Sequence, residues 1–155
     1  MRISLLAVGR VKDAHAAALC ADYDRRIRRL TSFEVLEVKD VRGRDPAATM
    51  QTEADRLLPQ LPTTCRPVLL DERGTRRTSE GLAAWFEERS YDTKELRFVL
   101  GGPWGFDDRL RARARDTLRL SDMTLPHELC RVVCLEQIYR ALSINAGSRY
   151  HHGAP

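Results

Sequence analysis

Three stretches of this chain carry residue types that can bind or transform a ligand. Gly101-Gly102-Pro103-Trp104-Gly105 follows directly on an apolar run, Phe98-Val99-Leu100. Glycines at the carboxyl end of a strand let a ligand approach main-chain amides that side chains would otherwise cover, although the same composition also serves a tight turn. Pro103 has no amide to offer and would shape the loop. The run is neither a GxGxxG fingerprint after the first strand nor a GK[ST] phosphate loop. Ser121-Asp122-Met123-Thr124 follows a second apolar run, residues 117–120. Its small polar residues leave backbone groups available, and Leu120, Met123 and Leu125 offer an apolar surface suited to an adenine ring. The tail, Ser148-Arg149-Tyr150-His151-His152, gathers a guanidinium, an aromatic ring and two imidazoles. Such a set can hold a phosphate, stack on a base and accept a proton.

A zinc reading would combine His151 and His152 with Cys130 or Cys134, which lie one helical turn apart. Adjacent histidines point in different directions and one cysteine fits an apolar stripe equally well, so no metal is assigned. Cys20, Cys65, Cys130 and Cys134 form no CxxC pair and suit a reducing compartment. His127, at the start of a helix, reads as a loop brace rather than a base. Glu136 and Arg140 stand at i,i+4 beside an apolar stripe, where they pair with each other or sit in a subunit interface.

These residues need elements to hold them. Residues 3–8 form a short apolar run suited to a buried parallel strand, and 33–38, 68–70, 97–100 and 117–120 supply four more. Helices alternate with them. The first covers 14–30, with Leu19, Tyr23, Ile27 and Leu30 on its stripe. The second runs from Pro46, capped by Asp45, to about Gln60, with Met50, Ala54, Leu57 and Leu58 inward. The third is capped by Thr78 or Ser79 and buries Leu82, Ala83, Trp85 and Phe86. A short arginine-rich helix covers 107–114. The last runs from Pro126 to about Ile144, with Leu129, Val132, Val133, Glu136, Tyr139 and Leu142 or Ser143 on one side. Strands interleaved with helices predict one α/β domain, residues 1–155, with a mostly parallel sheet.

The 155 residues include 43% hydrophobic and 31% charged side chains, an ordinary globular mixture. The first apolar run stops at Gly9 and no long apolar span follows, so a cytoplasmic protein without a membrane helix is expected. The net charge of +4 comes almost wholly from arginine, clustered at 25–29, 42–44, 73–77 and 109–115. Guanidinium groups match phosphate oxygens, which points to a polyanionic partner.

Taken in order, Gly101-Gly102-Pro103-x-Gly105, Leu120-Ser121-x-Met123-Thr124-Leu125-Pro126-His127, Arg131-Val132, Glu136-Gln137-Ile138-Tyr139-Arg140-Ala141 and Tyr150-His151-His152 resemble one family. It is that of the bacterial 23S rRNA pseudouridine N3-methyltransferases, small trefoil-knotted SPOUT enzymes. Leu5-Leu6-Ala7-Val8-Gly9-Arg10 and Arg42-Gly43-Arg44 fit as well, so the resemblance spans the chain. It implies a homodimer, a carboxyl-terminal trefoil knot, and S-adenosyl-L-methionine as methyl donor. The donor would contact Leu70, Gly101, Gly102, Leu120, Ser121, Asp122, Met123, Thr124 and Leu125. It also implies 23S rRNA in the large subunit or whole ribosome as substrate. By side-chain chemistry Arg149, Tyr150, His151 and His152 are the candidate catalytic set, with His151 or His152 the candidate base. Trp104 stands where relatives often have a small or acidic residue, and Arg149 where they usually have proline.

A non-enzymatic RNA- or ribosome-binding protein on the same scaffold is the alternative that the arginines alone would support. On the methyltransferase reading, a bulky residue at Gly102 is expected to hurt donor binding more than folding. The 25–29 and 73–77 arginine clusters are expected to serve RNA, and the last helix is expected to form the dimer interface.

Overall fold

The computed structural model describes residues 1–151, so His152 of the expected catalytic set lies outside the described residues. Five strands, β1 (Arg2–Val8), β2 (Phe33–Val38), β3 (Cys65–Arg76), β4 (Glu95–Leu100) and β5 (Asp116–Arg119), form one sheet in the order β2-β1-β4-β3-β5. Every pairing is parallel. Five helices cover it: α1 (Ala14–Arg28), α2 (Pro46–Leu57), α3 (Ser79–Asp92), α4 (Asp108–Arg113) and α5 (His127–Asn145).

The central strands β1 and β4 are buried almost throughout because both faces of the sheet are covered there, while the edge strands β2 and β5 carry Glu34, Glu37, Asp116 and Arg119. Ile3, Leu5, Val68, Leu96 and Phe98 pack toward α1, α3 and α5, and Leu6, Val8, Leu69 and Val99 pack toward α2 and α4. Caps set the helix starts: Asp13 accepts from Ala16 N at 2.8 Å, Asp45 from Ala47 N at 3.1 Å and Thr78 from Gly81 N at 3.0 Å.

Three expectations are corrected. On α1 only Ile27 is fully buried, while Leu19 and Leu30 are 49% and 44% exposed. The helix ends at Arg28, so Leu30 falls in the turn beyond it. On α5 the buried side is Arg131, Val132, Cys134, Leu135, Ile138 and Ala141, and Leu129 is exposed. The helix packs against both α1 and α3, so it is apolar around much of its circumference and its sequence shows no single stripe. Strand β3 also runs well past Leu70.

That extension shapes the site. Leu118 is the register partner of both Leu70 and Thr75, so residues 71–74 bulge out of the ladder. Gly74 lies flat on the β5 backbone, where an added Cβ would stand 2.7 Å from the Leu118 carbonyl carbon. From β5, at the sheet edge, the chain turns back through 120–126 to α5. The first turns of α5 are tied to the far side of the sheet. Glu128 accepts from Lys12 N and Asp13 N, His127 meets the Val8 carbonyl, and Arg131 donates to the Gly9 carbonyl. This return path is consistent with a trefoil knot.

Candidate active site

All five strands run the same way, so their carboxyl ends gather the loops at one rim. A pocket of about 460 Å³ opens there between the ends of β3, β4 and β5. Of the expected donor contacts, Leu70, Gly101, Gly102, Leu120, Ser121, Met123, Thr124 and Leu125 all line it. Asp122 does not; it is exposed and pairs with Arg76 (3.0 Å) and Arg119 (3.2 Å). Arg119 also donates to the Ser121 carbonyl, and Met123 N donates to Ser121 Oγ at 2.9 Å, which fixes the loop from inside.

The glycine loop is a tight turn and a pocket wall at once. Gly105 N donates to the Gly102 carbonyl at 3.2 Å, and Gly105 has φ +85°, which only glycine adopts at low cost. The other two glycines have a different reason. A Cβ at Gly101 would stand 2.9 Å from the Phe106 ring, and one at Gly102 would stand 2.2 Å from Glu53 Oε1. The Gly102 amide points the same way, donating to Glu53 Oε2 at 3.2 Å. Glu53 is 2% exposed, and burial, its largest influence, raises its pKa. Sequence reasoning overlooked Glu53, although it sits three and four residues from Met50 and Leu57 on the inward side of α2. A carboxylate on an apolar stripe was the available signal.

Other lining residues were also missed. Arg111 pairs at 2.6 Å with Asp71, whose side chain is 5% exposed, and this ties α4 to the β3 bulge. His127 lines the pocket and braces it, as expected. Its Nε2 lies 2.9 Å from the Val8 carbonyl, which only accepts, so that nitrogen carries the proton. Burial lowers the His127 pKa and favours the neutral ring. Trp104, 49% exposed, stands at the mouth.

The tail is elsewhere. Tyr150 packs edge-on against Tyr139 at 4.7 Å, with the Arg140 guanidinium 4.8 Å from its ring centre. Its hydroxyl donates to Glu136 at 3.0 Å and meets the Tyr23 hydroxyl at 3.3 Å. Burial first, then these hydrogen bonds, raise its pKa far above the ordinary tyrosine value. His151 is held at both nitrogens, with Arg140 3.3 Å from Nδ1 and Glu80 2.7 Å from Nε2. Arg140 can only donate, so Nδ1 accepts and Nε2 carries the proton in the neutral ring. Glu136 and Arg140 pair within the chain, as the i,i+4 spacing predicts. None of Arg149, Tyr150 or His151 lines the pocket of its own chain.

Among the described residues no group of three or more His, Cys, Asp or Glu side chains is placed to hold a metal, and no helix is long and apolar enough to cross a membrane.

A doubly covered parallel sheet, a loop-walled crevice beyond its strand ends and a last helix tied back to the β1–α1 turn are consistent with an α/β methyltransferase of the knotted class. The chain belongs to the SPOUT methyltransferase family: the model described as "Predicted SPOUT methyltransferase" matches residues 1–151. It is 41% identical over 153 residues to the ribosomal RNA large subunit methyltransferase H of Geobacter sp. (strain M21), covering 98% of this chain and 99% of that one. The Gloeobacter violaceus protein of the same name is 42% identical over 153 residues, covering 99% and 100%. A solved SpoU methyltransferase, AviRb from Streptomyces viridochromogenes in complex with AdoMet, aligns at TM-score 0.47 and 14% identity, over 96% of this chain and 59% of that one.

Proposed function

We propose that this chain uses S-adenosyl-L-methionine to methylate N3 of a pseudouridine in large-subunit 23S rRNA of the assembled ribosome, working as a homodimer in the cytoplasm. The observation that carries the reading is the pocket. Leu70, the glycine loop and residues 120–125 come from distant parts of the chain and close around one crevice. Relatives named as large-subunit rRNA methyltransferases match this chain from end to end.

The crevice fits the donor. Its volume falls within the roughly 300–1,000 Å³ usual for small-ligand sites. Leu70, Leu120 and Leu125 offer apolar walls for the adenine, and the backbone of 121–124 offers polar groups for the rest. When bound, the donor supplies an electrophilic methyl group on a sulfonium. The protein aligns the acceptor nitrogen with it and favours loss of the N3 proton, which is mainly positioning and electrostatics.

Arg149, Tyr150, His151 and His152 are assigned to the acceptor, reaching the pocket of the partner protomer. Tyr150, with its raised pKa, serves as a hydrogen-bond donor or stacking surface rather than a base. His151 accepts a proton at Nδ1 only once the Arg140 contact is released. The dimer is placed on α5 and its surroundings, where Leu19, Met123 and Leu129 are exposed apolar side chains. Their burial would favour association.

Calorimetry with S-adenosyl-L-methionine separates this reading from a non-enzymatic RNA-binding protein. Mass spectrometry of 23S rRNA from cells with and without the gene should show one methyl lost from a pseudouridine; identical spectra would overturn the assignment. Sedimentation should show a dimer at micromolar concentration, and a fully active monomer would refute that part.

A further inference from the structure

The arginines of this chain divide sharply by what they already hold. On α1, Arg25 and Arg26 pair with Asp22, and Arg28 forks onto Asp24. At the end of β3, Arg76 pairs with Asp122, while on α4 Arg109 and Arg111 are taken by Asp55 and Asp107 and by Asp71. Among the described residues several arginines have no carboxylate partner, Arg29, Arg42, Arg44 and Arg73 among them, but two such residues, Arg77 and Arg115, share one cleft. Both are exposed, and both line a second, smaller cleft of about 150 Å³ together with Thr75 and Thr117. The carboxylate in that cleft, Asp116, is already engaged by Arg66, with Nε 2.5 Å from Oδ2.

The cleft is a built feature. Arg77 Cζ stands 5.1 Å from the centre of the Trp85 ring, and Trp85 is itself 6% exposed, so the indole supports the guanidinium from below. The Arg115 backbone is fixed by its N–H donating to the Pro67 carbonyl. Two arginines without carboxylate partners at one cleft match a phosphate oxyanion better than any neutral ligand. The cleft also adjoins the methyl-donor crevice: Leu118 lines both, and β3 runs from one to the other through Arg73, which lines the donor crevice.

We propose that the Arg77–Arg115 cleft is a phosphodiester subsite that anchors the rRNA backbone beside the donor pocket, and that the α1 arginines have no part in RNA binding. This rests on the rRNA methyltransferase reading above. It narrows the surface that the sequence had spread over two clusters. The α1 arginines stand beside their own carboxylates, Asp22 and Asp24, so that face offers a phosphate less net positive charge.

The test is the salt dependence of binding to large ribosomal subunits and to naked 23S rRNA fragments. Losing two phosphate contacts in R77Q/R115Q should lower the log–log slope by about 1.4 to 1.8, at roughly 0.7–0.9 per contact. Extrapolated from a shared value at 1 M, that is about 25- to 60-fold weaker binding at 0.1 M salt. Affinity for S-adenosyl-L-methionine should not change, and R77K/R115K should keep the slope. Arg25→Gln/Arg26→Gln/Arg28→Gln should bind RNA like the wild type. An unchanged slope in R77Q/R115Q, with a wild type that methylates rRNA, overturns the subsite and leaves the enzyme reading standing. A slope change seen only with whole subunits assigns the cleft to a ribosomal protein and overturns it too. A wild type with no affinity for rRNA overturns both.

Discussion

Gly102→Ala should be far more costly than a glycine-to-alanine change in an ordinary loop, and the cost should come from Glu53. The backbone at Gly102 is not in the positive-φ region, so alanine is conformationally acceptable there. The added Cβ, however, would lie 2.2, 2.6 and 2.7 Å from Glu53 Oε1, Oε2 and Cδ. The carboxyl group must retreat by about 1 Å, and overpacking of this kind costs about 1–3 kcal/mol. Retreat also breaks the bond from Gly102 N, leaving buried polar groups unpaired at about 1–3 kcal/mol. The sum, about 2–6 kcal/mol, corresponds to a fall in Tm of about 4–24 °C for a chain of this size. Glu53→Ala removes the obstacle, so Gly102→Ala added to it should be neutral or slightly stabilising. The assay is a double-mutant cycle by thermal and urea unfolding, with calorimetric binding of S-adenosyl-L-methionine on the four proteins. Equal cost of Gly102→Ala in both backgrounds would refute the account. A folded double variant that no longer binds the donor would return Gly102 to the ligand's space, as the sequence first suggested.

Glu53→Gln keeps an acceptor for the Gly102 amide but removes the charge that burial disfavours. The folded-state pKa of Glu53 is raised, so its share of stability is present below the ordinary glutamate value and lost as pH rises through the folded value. The Tm advantage of the glutamine variant should therefore grow from about pH 4 to pH 7; a pH-independent difference would contradict the shift. Neutralising Asp22 and Asp24 together should free Arg25, Arg26 and Arg28 and raise nonspecific RNA affinity, measured by filter binding at low salt. No gain would mean the pairs do not hold those arginines back. Deleting residues 150–155 should cut single-turnover methyl transfer by about 10²–10⁴-fold, the scale of a lost proton-transfer group, while donor affinity stays within twofold. It should also cost about 0.5–1.5 kcal/mol from the lost Tyr139–Tyr150 pair. Transfer at the full-length rate would show the tail to be dispensable.

The inner strands were legible as short apolar runs, and β2 at the sheet edge by its alternation of Phe33, Val35 and Leu36 with Glu34 and Glu37. Caps at Asp45 and Thr78 were legible for the same local reason. What failed was set by contacts remote in sequence. Asp71-Glu72-Arg73-Gly74 reads as a loop, and only its bulge against β5 makes it part of a longer strand. The inward side of α5 was misread because α1 and α3 flank it and because Arg131, 3% exposed, is paid for by Glu37 and the Gly9 carbonyl. No periodicity reveals a buried arginine whose partners lie 94 and 122 residues away. At the site, the glycine loop and residues 120–125 were visible from composition and family likeness. Glu53 beneath them, and the distance between the tail and its own pocket, belong to tertiary structure alone.

The tie between the start of α5 and the β1–α1 turn also sets a timetable. Val8, Gly9, Lys12 and Asp13 leave a ribosome long before Leu125, His127, Glu128 and Arg131, which complete the rim against them. β1 to β4 can pair while the chain is still being made, but the crevice lacks a wall until residues 120–131 have returned across the finished strands. A nascent chain halted before that return holds most of its sheet but lacks the crevice wall that residues 120–127 supply. The crevice is thus completed in one late step rather than wall by wall.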